Sequence, residues 1–261
     1  MQQFQLADGG TLAYRDEGRG SVVVLVHGLG ASHADWRFQV PALATRYRVI
    51  AVDLPGFGDS PAPGRPLQID DYAAVVEALV DAVSPNAPVA IVGHSMGGAV
   101  ALQAVLRAPS RYRKLVVANS LPSFQPETLR ERLEVAYRRL VMRVLGPARL
   151  ARLSAYRMFP RADQAALREQ VIARGRHNRR QTYLQALSAL TRWNAQPHLP
   201  TLETPTLLIG AEHDYFDADR VEQYAAALPN GRLHWFAGCR HGLPMEAPEA
   251  FNAVLLAFLD A

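Results

Sequence analysis

The chain has 261 residues, 49% of them hydrophobic and 20% charged, with 18 glycines and 18 prolines. That balance excludes wholesale disorder, a collagen-like repeat and a disulfide scaffold, and it allows one large domain or one domain carrying an insertion. The net charge is +4, with arginine supplying 27 of the 28 basic residues. Cys239 is the sole cysteine, so neither an intramolecular disulfide nor a Cys-x-x-Cys metal site can form. Met1-Gln2-Gln3-Phe4 lacks the basic-then-apolar signature of an export signal, and no apolar run approaches the ~20 residues of a membrane span. The sequence therefore reads as cytoplasmic, without stable membrane insertion.

In chain order, residues 4–7 and 11–14 alternate around Asp8-Gly9-Gly10 and predict a hairpin. Val22-Val23-Val24-Leu25-Val26 is a continuous β-branched run, the pattern of a strand buried on both faces of a parallel sheet. After His27-Gly28-Leu29-Gly30, residues 35–44 have helical spacing. Residues 47–54 predict a strand ending at Pro55-Gly56-Phe57-Gly58, and 71–83 a helix with Tyr72, Val75, Val76, Leu79 and Val80 on one side. A strand at 89–92, a small-residue helix at 97–106 and a strand at 115–118 continue the rhythm. It breaks over 121–202, where helical patterns (129–145, 150–158, 162–175, 182–190) replace strands. It resumes with a strand at 206–209, a helix at 218–228, a strand at 232–236 and a helix at 248–259. This alternation predicts an α/β fold, a mostly parallel twisted sheet with helices on both faces. Residues 1–120 and 203–261 form that core, interrupted by an all-helical insertion over 121–202.

Gly93-His94-Ser95-Met96-Gly97 matches G-x-S-x-G between a predicted strand and a predicted helix, the context a nucleophile elbow requires. A nucleophile at the top of a strand needs a tight, strained turn, and flanking glycines remove side chains that would strike the neighbouring strand and helix. Serine also needs a base, and the base an orienting acid. In the chain order Ser, acid, His, the candidates are Asp214 after the strand at 206–209 and His241 after the strand at 232–236. Asp217 and Asp219 are alternative acids. His27 reads as a loop-bonding residue, His94 as pointing away from the adjacent hydroxyl, and His213 as too early in the order. Backbone N–H groups of Leu29 and Met96 are the natural oxyanion donors.

These residues resemble those of the α/β-hydrolase superfamily over nearly the whole chain. The matching elements are His27-Gly28, Asp53-Leu54-Pro55-Gly56-Phe57-Gly58-Asp59-Ser60, Gly93-His94-Ser95-Met96-Gly97-Gly98, Asp214, and His241 before Glu246-Ala247-Pro248. Within the superfamily, the chain is similar to capped esterases, lactonases and C–C-bond hydrolases. The resemblance implies that 121–202 is a cap roofing an acyl pocket. Trp36 and Trp193 fall where such proteins carry pocket or cap aromatics, although core packing would explain each equally well. Arg240 departs from the glycine that relatives often have before the histidine. Ser95 excludes the aspartate-nucleophile chemistry of the epoxide hydrolases and dehalogenases.

The insertion holds 15 arginines and 5 carboxylates, a balance of +10, leaving −6 for the rest. That polarity is a solvated face, a device steering an anionic substrate, or a face that docks a membrane or partner. No nucleic-acid-binding motif accompanies it. The expected activity is that of a cofactor-independent serine hydrolase, with no metal, acting on a small-molecule carboxylic ester or related acyl substrate, which the basic insertion would suit if anionic. A lactonase, thioesterase or C–C-bond hydrolase would use the same residues. The rival from another class is a non-catalytic small-molecule receptor.

Overall fold

A computed structural model describes residues 1–7 and 9–261; the turn residue Asp8 of the expected hairpin lies outside the described residues. Strands β1 (Gln2–Gln5) and β2 (Thr11–Gly18) pair antiparallel, and β2 pairs antiparallel with β4 (Arg48–Val52). The remaining neighbours are parallel, using β3 (Val22–Val26), β5 (Val89–His94), β6 (Tyr112–Ala118), β7 (Thr206–Ala211) and β8 (Gly231–Phe236). The eight strands form one sheet in the order β1-β2-β4-β3-β5-β6-β7-β8.

The β-branched run in β3 explains its central place. Val22, Val24 and Val26 join the core on one face, while Val23 and Leu25 join the core on the other. A strand alternates its side chains between faces, so only one apolar on both can be covered by helices twice. The first face is covered by α2 (Ile69–Val83), α3 (Met96–Arg107) and α8 (Ala218–Ala226). The second is covered by α1 (Gln39–Leu43) and the C-terminal α10 (Pro248–Asp260), with Trp36, Phe251, Leu255 and Phe258 as its large side chains.

Between β6 and β7 stand four helices, α4 (Leu129–Val144), α5 (Gly146–Met158), α6 (Ala165–Gly175) and α7 (Arg180–Leu190). Helix α4 starts where Thr128 and Glu131 form a capping box, each side chain accepting from the other residue's backbone N–H. The two ends of this stretch meet: Ser123 and Asn194 form an isolated β-bridge, and the Ala195 N–H donates to the Pro122 carbonyl at 2.7 Å. Asn178 Nδ2 donates to the Gly30 carbonyl at 2.8 Å, and Arg174 pairs with Asp35, so two further contacts hold the helices against the loop that follows β3. A short helix missing from the sequence expectation, α9 (Leu243–Glu246), follows β8. Its four residues are too few for a period to register.

Candidate active site

Ser95 stands between β5 and α3 with φ 55° and ψ −123°, a left-handed conformation rare for a residue with a side chain. The turn can form because its flanks are bare. A Cβ on Gly93 would lie 2.1 Å from the Gly97 carbonyl oxygen, and one on Gly97 would lie 2.1 Å from the Val26 carbonyl oxygen. Strand, elbow and helix thus touch through backbone alone.

The loops after β7 and β8 bring two more side chains to this edge. His241 Nε2 lies 3.0 Å from Ser95 Oγ, and His241 Nδ1 lies 2.7 Å from Asp214 Oδ1. With the Nδ1 proton donated to the carboxylate, Nε2 is left to accept from the serine hydroxyl. Asp214 is anchored further: Asn119 Nδ2 donates to Oδ2 at 2.6 Å, and the Tyr215 N–H donates to Oδ1 at 2.5 Å. Burial alone would raise the Asp214 carboxyl, but His241 and these donors hold it below the ordinary carboxylate range. The alternative acids are engaged or aimed elsewhere. Asp217 caps α8 by accepting from the Asp219 N–H, and both residues are exposed.

The imidazole is held on several sides. His94 Nε2 donates to the His241 carbonyl at 2.7 Å, so the elbow's own histidine anchors the main chain at His241. Tyr215 stacks on the His241 ring, with centroids 4.4 Å apart and planes 26° apart, and Phe216 meets it edge-on. The Arg157 guanidinium lies 4.2 Å from the Tyr215 centroid and that of Arg138 lies 5.5 Å away; Glu134 Oε1 accepts from both at 2.7 and 3.0 Å. Behind His241, Glu246 accepts from the Arg240 N–H and from Gln164 Nε2, so Arg240 contributes its backbone to fixing the loop.

The expected oxyanion donors belong to the two backbone segments next to Ser95. Met96 opens α3, so its N–H is one of the helix's intrinsically unpaired donors. Leu29 follows Gly28, where an added Cβ would sit 3.1 Å from Ser95 Cβ. The two tryptophans diverge. Trp36 is buried against His94 and helps wall a small cavity bounded also by Phe159, Arg174 and Gly242. Trp193 instead donates its indole N–H to Gln103 on α3 at 2.8 Å, fastening the end of the helical stretch to the core.

His27, His33, Asp53 and Asp59 form a neighbouring cluster with a structural account. Ligand atoms of His33, Asp53 and Asp59 lie within 4.8 Å of one another. The Asp53 oxygens, however, accept from the His33 N–H and ring and from the Asp59 N–H, clasping two loops together. His27 donates from Nδ1 to the Gly28 carbonyl and accepts the Leu54 N–H at Nε2, which requires the neutral ring. Burial pushes its pKa from 6.5 down to about 4, and burial with the nearby His241 pushes His94 down to about 3. As pH falls below 6.5 the unfolded chain takes up protons that these native rings refuse. Stability is therefore present above that value and lost toward 4. Urea unfolding at pH 5 is expected to show about 2 kcal/mol less stability than at pH 7.5 from His27 alone, with His94 adding in the same direction. Equal stabilities at the two pH values would contradict the neutral, buried assignment.

Residue types in the sequence pointed to Ser95, Asp214 and His241, and the folded chain brings all three together. Asn119, Tyr215, Glu134 and Arg157 went unmarked. Asn119 carried one legible signal: a polar residue ending a strand at this edge, of a type that tolerates the left-handed region it adopts at φ 47°.

Comparison with known proteins gives a consistent family. The sequence model described as the alpha/beta hydrolase family matches residues 23–254. Polyketide synthase ThaQ of Burkholderia thailandensis is 34% identical over 93% of this chain, but the match spans only 12% of that far longer protein. The pimeloyl-[acyl-carrier protein] methyl ester esterase of Vibrio vulnificus is 30% identical over 95% of this chain and 97% of its own. A crystal structure of a hydrolase from Pseudomonas aeruginosa superposes with a TM-score of 0.89 at 26% identity, covering 100% of this chain and 98% of that one.

Proposed function

The chain belongs to the alpha/beta hydrolase family, and from that premise we propose that it is a serine hydrolase cleaving a carboxylic ester through an acyl-enzyme intermediate. The observation that carries this reading is the continuous contact from hydroxyl to imidazole to buried carboxylate, at 3.0 and 2.7 Å. His241 takes the Ser95 proton as the oxygen attacks the ester carbonyl, then returns it to the departing alkoxide. Asp214 fixes the tautomer and stabilises the imidazolium. The N–H groups of Leu29 and Met96 meet the oxyanion of each tetrahedral intermediate. Water, activated by the same histidine, then releases the acid and restores the serine. Residues 121–202 act as a cap over the acyl pocket, with Trp36 in the pocket wall. The esterase from Vibrio vulnificus, named for a methyl ester, supports an ester as the substrate class.

A fluorophosphonate probe tests this directly, because it phosphonylates a serine only where a base activates it. Wild-type protein is expected to label and Ser95→Ala to remain unlabelled. An unlabelled wild type would leave the fold as a small-molecule receptor. Labelling that survives Ser95→Ala would move the nucleophile elsewhere.

A further inference from the structure

Helix α4 carries an apolar ridge on its solvent side that nothing among the described residues covers. Leu129, Leu133, Tyr137, Leu140 and Val144 are 47–72% exposed. Their spacing of four, four, three and four residues confines them to an arc of about 80° along about 22 Å of helix. Such side chains on a surface helix ordinarily face the core. Here the core-facing side is supplied by others: Val141 and Met142 are buried, Glu131 pairs with Arg220, and Arg138, paired with Glu134, reaches over Tyr215. The ridge is therefore additional to the packing that holds α4 in place.

Its borders are basic. Arg130 flanks the arc on one side and Arg132 and Arg143 on the other, all exposed and without an ion pair among the described residues. Both α4 carboxylates, Glu131 and Glu134, lie off the exposed arc and are already paired. Helix α5, which follows, contains no acidic residue at all. We propose that this face of α4 docks on an anionic lipid surface, the ridge lying among the acyl chains at the headgroup boundary and the guanidiniums at the phosphates.

Three features select that occupant. An amphipathic helix with aliphatic residues on one arc and arginines at its margins is matched to the plane of a bilayer interface, which accepts a convex ridge without a complementary groove. The molecule is also polarised, +10 over residues 121–202 against −6 elsewhere, so a negative surface attracts the helical side and repels the other. A second copy of the chain would place two +10 faces against each other. A nucleic acid would leave the five apolar side chains unburied. The contact is peripheral, consistent with no described helix being long and apolar enough to cross a membrane.

Vesicle flotation is the test, with phosphatidylcholine vesicles compared with vesicles of phosphatidylcholine and phosphatidylglycerol. Wild-type protein is expected to partition at least about tenfold more onto the anionic vesicles, and to be released by about 0.5 M salt. Leu133→Glu with Leu140→Glu should abolish floating while leaving the melting temperature and fluorophosphonate labelling unchanged, since neither residue approaches Ser95. The outcome is thus separable from that of the hydrolase assignment. Absence of wild-type binding to anionic vesicles overturns the proposal, whether or not light scattering then shows a dimer or an acidic protein occupies the ridge. Undiminished binding by the double variant overturns it equally.

Discussion

Asp214→Asn is expected to lower kcat/KM for ester hydrolysis by about 10⁴-fold while leaving the circular dichroism spectrum native. The size follows from the surroundings of the carboxylate. Every neighbour is a donor: His241 Nδ1 and the Tyr215 N–H on one oxygen, Asn119 Nδ2 on the other. An asparagine amide must turn its NH₂ toward one of these donors. If it faces His241, the imidazole reverses its tautomer and presents N–H to Ser95, so the base is lost. If it faces Asn119, two amides oppose each other in a buried site, and the imidazolium formed during attack still has no anion beside it. Steady-state kinetics on a short soluble ester measures the effect. A fall of less than about tenfold would remove Asp214 as the residue that orients His241.

Gly97→Ala is expected to destabilise the protein by about 4 kcal/mol or more, seen as a melting temperature lower by about 8–16 °C. The new methyl would stand 2.1 Å from the Val26 carbonyl oxygen and 2.6 Å from that of His27. Both belong to the central strand β3 or the residue immediately after it, which cannot yield as a flexible side chain can. Helix α3 must then lift away from the sheet, opening the core formed by Met96, Ala99, Val100 and Val105. Thermal unfolding monitored at 222 nm decides the matter. A melting temperature within about 2 °C of wild type would mean that the elbow has slack which its geometry does not reveal.

The parallel core was legible because its signals are local. A strand such as 22–26 declares itself through five consecutive apolar residues, and the elbow through five residues of fixed type. Asp214 and His241 were legible for a different reason. A parallel sheet sends the loops after its strands to one edge, so chain order substitutes for contact. What escaped detection depends on partners brought together only by folding. Tyr215 looks like an ordinary loop aromatic until His241, 26 positions later, lies against its face. Arg157 and Glu134 belong to helices whose sequence reports amphipathicity but not the identity of the neighbouring ring. Arg174 is one of the 15 arginines behind the +10 balance, yet it is largely buried against Asp35, where burial pushes its pKa down to about 10. Charge totals count side chains without revealing which are spent internally.

The column built from Glu134, Arg157, Tyr215 and His241 ties the helical stretch between β6 and β7 to the ring beside Ser95. One face of Tyr215 is covered by the imidazole, and guanidiniums carried on α4 and α5, far away in the chain, lie over its ring as well.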